Sequence, residues 1–366
     1  MTAPQTAPRH EAALLGLEVL RFVCAVSVLL WHYQHFFVFG AAHVAGFTPA
    51  QQPLYGPLKP FYEAGWLGVQ TFWCLSGFIF FWKYAQPVAQ GQVSAARFAW
   101  LRFSRLYPLH LVTLLAVLPG LFWYRHTNGV DFVYSHNDWP HFLLQLGLAS
   151  DWPGRNEWSF NGPIWSISVE VLVYGLFFAL CRLGLTRLWQ VLAVIGVAGA
   201  VYASKRTEHP IVLCVFFFYL GALTQLGHAW LATQSAALRR TLLVLATVAL
   251  AAGTALLWAG RLKPMFYAAL LSPVAIWLLL ATVQPASKRV QATLETLGHT
   301  TYASYLLHFP VQLTLMAAAT AGGFSWPVQE AWFLLAFLGG VFTLAALSYR
   351  RLEVPAQAWL RRFSPR

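Results

Sequence analysis

An arginine and a histidine separated by ten residues, Arg21 and His32, stand inside the first apolar run of the chain. Ionisable side chains are costly in an apolar segment long enough to span a membrane, and they mark function there. In a helix, eleven steps of 100° return to within about 20° of the starting direction, so both side chains point to one seam, about 16 Å apart along the axis. An imidazole at that depth is a candidate general base. The guanidinium either lines the same shaft or snorkels to the interface. A second segment, NGPIWSISVEVLVY, carries Glu170 nine residues beyond Asn161, about 13 Å below the surface by helical rise. If the two helices are neighbours, Glu170 can accept from one nitrogen of His32, fix its tautomer and raise the basicity of the other. A third segment, HTTYASYLLHFP, spaces Tyr302, Tyr305 and His308 three apart, roughly on one side of a helix. His308 either lines the cavity or is a buried structural histidine.

The other polar positions admit two readings each. In FWCLSGFIFFW, Ser76 and Gly77 are small residues among bulky ones, a pattern of close helix packing. Arg102 and Arg105, in ARFAWLRFSRLYPLH, are three apart on one face. They are either a basic anchor at a membrane surface or a clamp for phosphate groups. Asn161, Ser166 and the tyrosines are candidates to hold an oxyanion, and Trp165 lies beside them as a candidate substrate-lining residue.

These residues must be positioned by membrane-spanning helices. Of 366 residues, 58% are hydrophobic and only 10% charged, which is too few charges for the surface of a soluble protein of this length. Runs of about twenty apolar residues lie near 14–38, 63–83, 105–124, 161–181, 187–204, 210–228, 240–259, 264–283, 299–320 and 329–349. The expectation is an all-α polytopic bundle of about ten transmembrane helices with both termini cytoplasmic. The basic residues support that orientation, since most of them (Arg97, Arg102, Arg105, Arg182, Arg187, Arg239, Arg240, Lys288, Arg289, Arg350, Arg351, Arg361, Arg362, Arg366) fall in or beside the loops and tail it places inside. The stretch 139–149 is expected to lie at the interface rather than to span. The organisation is then an irregular N-terminal segment 1–12, a transmembrane domain 13–350 and a basic tail 351–366. The first apolar run lacks a cleavage site and is expected to be retained.

A net charge of +12 does not indicate nucleic-acid binding, because the basic residues form short clusters between apolar runs. Cys24, Cys74, Cys181 and Cys214 lie within apolar runs at spacings that fit no zinc site and are expected as small core residues; no metal is expected.

Taken together, these segments resemble acyltransferase family 3, membrane acyltransferases that mostly modify bacterial glycans. The resemblance rests on the order and spacing of Arg21 and His32, of FWCLSGF around Ser76, of RFSRLYPLH with Arg102 and Arg105, of NGPIWSISVEVLVY, of YASYLLHFP and of the final LEVPAQAWLRR. The chain is similar to the short form, without an extracytoplasmic domain. The family implies transfer of an acyl group, usually acetyl, from acyl-coenzyme A as co-substrate to a sugar hydroxyl, with no permanently bound cofactor. It implies that His32 is the essential histidine with Arg21 as its partner, that Arg102, Arg105 and Ser76 lie beside the coenzyme, and that Glu170 sits in the pocket. Asn161, Trp165, Ser166, Tyr302, Tyr305 and His308 are then the candidates to line the acceptor. The location expected is a bacterial inner membrane, with a glycan, a lipid-linked glycan or a macrolide-type molecule as acceptor. A transporter or flippase of a glycolipid is the competing reading. It predicts inverted repeats and broken helices, which the sequence does not display.

Overall fold

Long apolar runs without charged residues can satisfy their backbone within a membrane only as helices, and the chain folds accordingly. The computed structural model describes residues 7–152, 157–207, 209–283 and 287–365, with side chains from residue 15 onward. Residues 1–6 of the expected irregular N-terminal segment lie outside that range; from Ala7 the backbone is already helical.

Each expected span has a helix. They are α1 (Ala7–His32), α3 (Leu67–Phe80), α5 (Ala95–Asn128), α7 (Trp165–Arg182), α8 (Leu188–Ala203), α9 (Pro210–Ala232), α10 (Ala236–Trp258), α11 (Pro264–Thr282), α13 (Thr301–Gly322) and α14 (Ala331–Ser348). Among the described residues, seven helices are long and apolar enough to cross a membrane, or eight if a bent pair counts as one span. The other two fall short for different reasons. Helix α8 has 16 residues, about 24 Å of rise against a hydrocarbon core of about 30 Å. Helix α13 has the length, but Tyr302, Ser304, Tyr305, His308 and Gln312 lower its hydropathy. Its polarity is itself a signal, since Tyr302, Tyr305, His308 and Gln312 belong to the site described below.

The bent pair is α2 (Tyr55–Ala64) with α3, at 60°. The bend falls at Gly65, where a side chain would strike the carbonyls of Ser27 and Phe61. Among the described residues, the short helices α4 (Gln86–Ala89), α6 (Trp139–Leu146) and α12 (Lys288–His299) and a two-residue hairpin pairing Val38 with His43 lie between spans, and α15 (Val354–Arg361) follows the last span. At eight residues, α6 is too short to span, as the sequence indicated. Its loop is tied by charge: Asp138 caps α6 and meets His141 Nδ1 at 2.5 Å, and Glu157 meets His141 Nε2 at 3.1 Å.

Helix α3 packs most extensively on α9, and glycines let the backbones meet. A side chain at Gly77 would strike the Phe218 carbonyl, and one at Gly221 the Cys74 carbonyl. This fulfils the small-residue expectation for Gly77, while its neighbour Ser76 turns to the cavity. Overpacking a tight contact costs about 1–3 kcal/mol, so Gly77→Ala should lower the thermal unfolding midpoint in detergent measurably. An unchanged midpoint would mean that α3 and α9 do not approach this closely. All four cysteines are buried and unbridged in the helices.

Helices α1, α5 and α13 run parallel. Arg21 and His32 face the start and middle of α13, and Leu106 and Gly120 of α5 meet Tyr302 and Leu313 in the same order. Helix α7 runs against α5, and the end of α14 returns to its start, where Glu353 meets Arg105. The bundle therefore has an arginine end, holding Arg21, Arg102, Arg105 and α15, and a histidine end, holding the close of α1.

Candidate active site

The arginines set one pole of the site. Arg21 reaches Glu18 across one turn of α1, at 3.3 Å. Arg102 donates through Nη2 to the Tyr84 hydroxyl at 2.8 Å, with its guanidinium 5.0 Å from the Phe80 ring centre and 5.2 Å from that of Tyr84. Arg105 pairs with Glu353 at 3.4 Å and lies 5.9 Å from the Tyr302 ring centre. Tyr84 and Glu353 both belong to single π-helical turns, Phe81–Ala85 and Tyr349–Glu353, that end α3 and α14. A π turn inserts one residue and re-aims side chains, and such turns recur at functional sites. Here each aims one residue at one arginine.

Arg21, Arg102 and Arg105 open on a cavity of about 160 Å³. Farther in, its walls are Ser76, Glu170, Tyr174, Tyr302, Tyr305 and Ser166. Ser166 and Tyr305 share a hydroxyl contact of 2.8 Å, and Tyr305 donates on to the Pro163 carbonyl at 2.7 Å. Beyond Tyr305, its ring 5.9 Å away, lies His308, which is 4.8 Å from the ring of His32. Arg21 and His32 thus share one seam along α13, as their spacing predicts, with Tyr305 and His308 between the cavity and His32.

The Glu170–His32 pairing expected from depth is not formed. Glu170 faces the hydroxyls of Ser76 and Tyr174, while His32 is surrounded by His35, His308 and Trp31. Counting residues gave the height of each group but not the face of α7, which turns Glu170 toward α3. The orienting group for His32 is instead its own backbone. Nδ1 lies 3.0 Å from the Val28 carbonyl, which can only accept, so the proton is on Nδ1 and Nε2 is the basic nitrogen. The end of α1 is fixed in turn by Gln312, whose Nε2 donates to the His32 carbonyl at 2.9 Å. That bond sets the amide, so its Oε1 accepts from His35 Nδ1 at 3.2 Å.

Several buried polar atoms here have no hydrogen-bond partner among the described residues: Arg102 Nε, Glu170 Oε1, Asn161 Oδ1, Glu353 Oε1 and both nitrogens of His308. Unsatisfied buried groups are rare in folded proteins, and each calls for an explanation. Lying along the path from the arginines to the histidines, these atoms suit a channel that takes a polar ligand. Asn161 donates one Nδ2 hydrogen to the Leu306 carbonyl at 3.0 Å, which orients the amide and leaves its second N–H and its oxygen for a ligand. Trp165 packs edge-on against Trp73 at 5.8 Å and supports the cavity wall, since Trp73 lines it.

The comparison with known proteins now decides the class. The model of acyltransferase family 3, described as an acyltransferase domain, matches residues 14–350. The chain belongs to this family. It is similar to acyltransferase MdmB of Streptomyces mycarofaciens, with 27% identity over 402 residues, 98% of this chain and 95% of the relative. No solved structure matches it. The protein is therefore a multi-pass membrane acyltransferase. For a family 3 acyltransferase, four residues here were absent from the sequence reading: His35, Gln312, Tyr84 and Glu353. His35 lies three residues after His32, and Gln312 four after His308, the spacings that share a helix face. Tyr84 and Glu353 depend on π turns, which no periodicity announces.

Proposed function

We propose that the protein moves an acyl group, most simply acetyl, from acyl-coenzyme A to a sugar hydroxyl of a cell-surface or secreted polysaccharide, in a bacterial inner membrane. The observation that carries this reading is the polarity of the path. Three arginines stand at one pole, and a histidine with a free basic nitrogen stands at the other, about 16 Å along the same helix.

The coenzyme approaches from the arginine end, which the basic loops make cytoplasmic. Its phosphates take Arg102 and Arg105, for which guanidinium groups are well suited. The pantetheine arm then runs past Ser76 and Glu170 toward His32. The cavity of about 160 Å³ is smaller than the roughly 300–1,000 Å³ usual for ligand sites, so the arm enters with displacement of Tyr305 and the Arg–Glu pairs. His32 Nε2 takes the proton from the acceptor hydroxyl, whose oxygen attacks the thioester carbonyl; the coenzyme thiolate leaves and is protonated. Ser166 and Tyr305, paired hydroxyls on the way to His32, are the candidates to stabilise the tetrahedral oxyanion. Alternatively Nε2 attacks the thioester first and passes the acyl group on.

The test is acyl transfer from labelled acetyl-coenzyme A by purified protein, with O-acetylation of surface glycans followed by NMR in cells with and without the gene. Unchanged glycan spectra and no consumption of the thioester would refute the reading. A transporter would move its cargo and leave the thioester intact.

Gln312 gives a finer prediction. Gln312→Leu keeps the volume but removes both the bond to the His32 carbonyl and the acceptor for His35. A small misplacement of a reacting group can cost up to about 10²-fold, so kcat should fall roughly 10- to 100-fold with the coenzyme KM unchanged. A rise in KM at constant kcat would place Gln312 in donor binding instead.

A further inference from the structure

A second crevice lies between α5 and α7, and the reaction as described does not use it. It has a volume of about 600 Å³. Phe98, Phe103 and Tyr107 form one wall, and Val171, Gly175 and Phe178 the other. Along α5 it extends from Ala95 to Tyr107, about 18 Å of helical rise, comparable with one leaflet of a hydrocarbon core about 30 Å thick. Both walls belong to membrane-spanning segments, and Ala99 and Gly175 are exposed at its mouth. On that placement the mouth faces the membrane at the arginine end of the bundle, where a hydrocarbon chain can enter it.

The crevice is not closed at its inner side. Arg102, Leu106 and Tyr174 line both it and the polar cavity. Arg102 has a buried Nε without a partner. Its other contacts are a neutral hydroxyl and two aromatic faces, and among the described residues no carboxylate forms an ion pair with it. Arg105, one turn on, has Glu353. Glu170 lies near enough for its charge to act on Arg102 but forms no direct pair with it, so a guanidinium with an unpartnered Nε stands at the inner edge of an apolar slot; it suits an anionic head on a hydrocarbon tail, and a phosphate fits a guanidinium by geometry as well as charge.

We propose that the α5–α7 crevice binds a phosphate-headed membrane lipid, with its chain along the aromatic walls and its phosphate at Arg102. A lipid in this position holds the guanidinium that, on the reading above, also takes a phosphate of the coenzyme. The lipid and the acyl donor then compete, and the membrane's anionic lipid content sets the apparent donor affinity. The competition rests on the proposed donor site; the lipid site does not.

The experiment separates the two. Full-length protein in an alkyl maltoside is offered phosphatidylglycerol or a galactosyl diacylglycerol of matched chains, which has no phosphate, and bound lipid is read by native mass spectrometry. Wild type should retain one phosphatidylglycerol per chain under conditions that strip the galactolipid. A side chain at Gly175 meets open space, so Gly175→Phe fills the crevice without disturbing helix packing and should lose the lipid. Ala99→Trp, from the opposite wall, should do the same if Gly175→Phe is poorly folded. Equal retention of both lipids, or undiminished retention in crevice variants that elute as monodisperse protein, overturns the site. In the second arm, added phosphatidylglycerol should raise the KM for acetyl-coenzyme A several-fold in wild type and not in Gly175→Phe. Lipid binding without that rise would uphold the crevice site and overturn the shared use of Arg102.

Discussion

Alanine at position 32 is expected to lower acyl transfer by roughly 10²–10⁴-fold, the usual worth of a general base, while the protein inserts and folds normally. His32 is buried at the close of α1, with Nδ1–H held by the Val28 carbonyl. The imidazole therefore presents a lone pair on Nε2 without help from a carboxylate. Removing it leaves the Gln312 bond to the residue 32 carbonyl in place, because that bond is made to backbone. The local fold should survive, and the loss should appear in kcat. Measurement is labelled acetyl transfer in membranes matched for protein content, with elution profile as the control for folding. Retained transfer in His32→Ala would sink the assignment. The same variant separates the two chemical routes. An acyl-histidine predicts label on wild-type protein after a rapid acid quench, sensitive to hydroxylamine and absent from His32→Ala. Direct transfer predicts no such label. His35 and His308 touch the His32 ring, at 5.0 and 4.8 Å between centres, yet neither is expected to replace it. His35 Nδ1 is committed to Gln312, and the end of α1 aims only His32 along the seam.

The helices of the bundle were legible because a membrane admits few backbone solutions and demands about twenty apolar residues for each span. The seam shared by Arg21 and His32 was legible because helical geometry relates positions on one element without any knowledge of its neighbours. Relations between elements were not. The pairing of Glu170 with His32 followed from heights alone, and the rotation of α7 about its axis sent the carboxylate to Ser76 and Tyr174 instead. Arg102 and Arg105 read as equivalent in sequence, one turn apart. The π turns made them unlike: Arg105 received a carboxylate from the far end of the chain, Arg102 a phenol. Those turns insert one residue into an otherwise regular helix, and nothing in the residue types marks where the insertion falls. Likewise Ser76 and Gly77 read as one packing motif, and only the approach of α9 separated them into a cavity wall and a backbone contact.

That inequality makes the arginine pair the most informative test of the donor site. Arg102→Ala should raise the KM for acetyl-coenzyme A about 10- to 100-fold, since a hydrogen bond to a charged group contributes about 1.5–3 kcal/mol and each 1.4 kcal/mol is about tenfold. The acceptor KM should not move. Because the direct partners of Arg102 are neutral, its removal breaks no ion pair, and stability should fall less than in Arg105→Ala. Arg105→Ala is different. It leaves Glu353, 3% exposed and with Oε1 already unpartnered, without its counter-ion, and breaking a buried pair on one side costs about 3–5 kcal/mol. Loss of activity in that variant would mix unfolding with lost binding. Arg105→Ala combined with Glu353→Gln removes both charges and should restore the thermal midpoint while the donor KM stays high. If the double variant recovers wild-type donor affinity, the role of Arg105 is to hold the end of α14. If Arg102→Ala also leaves donor affinity unchanged, the basic cluster marks topology alone, and the coenzyme's phosphates must be held elsewhere on the arginine end.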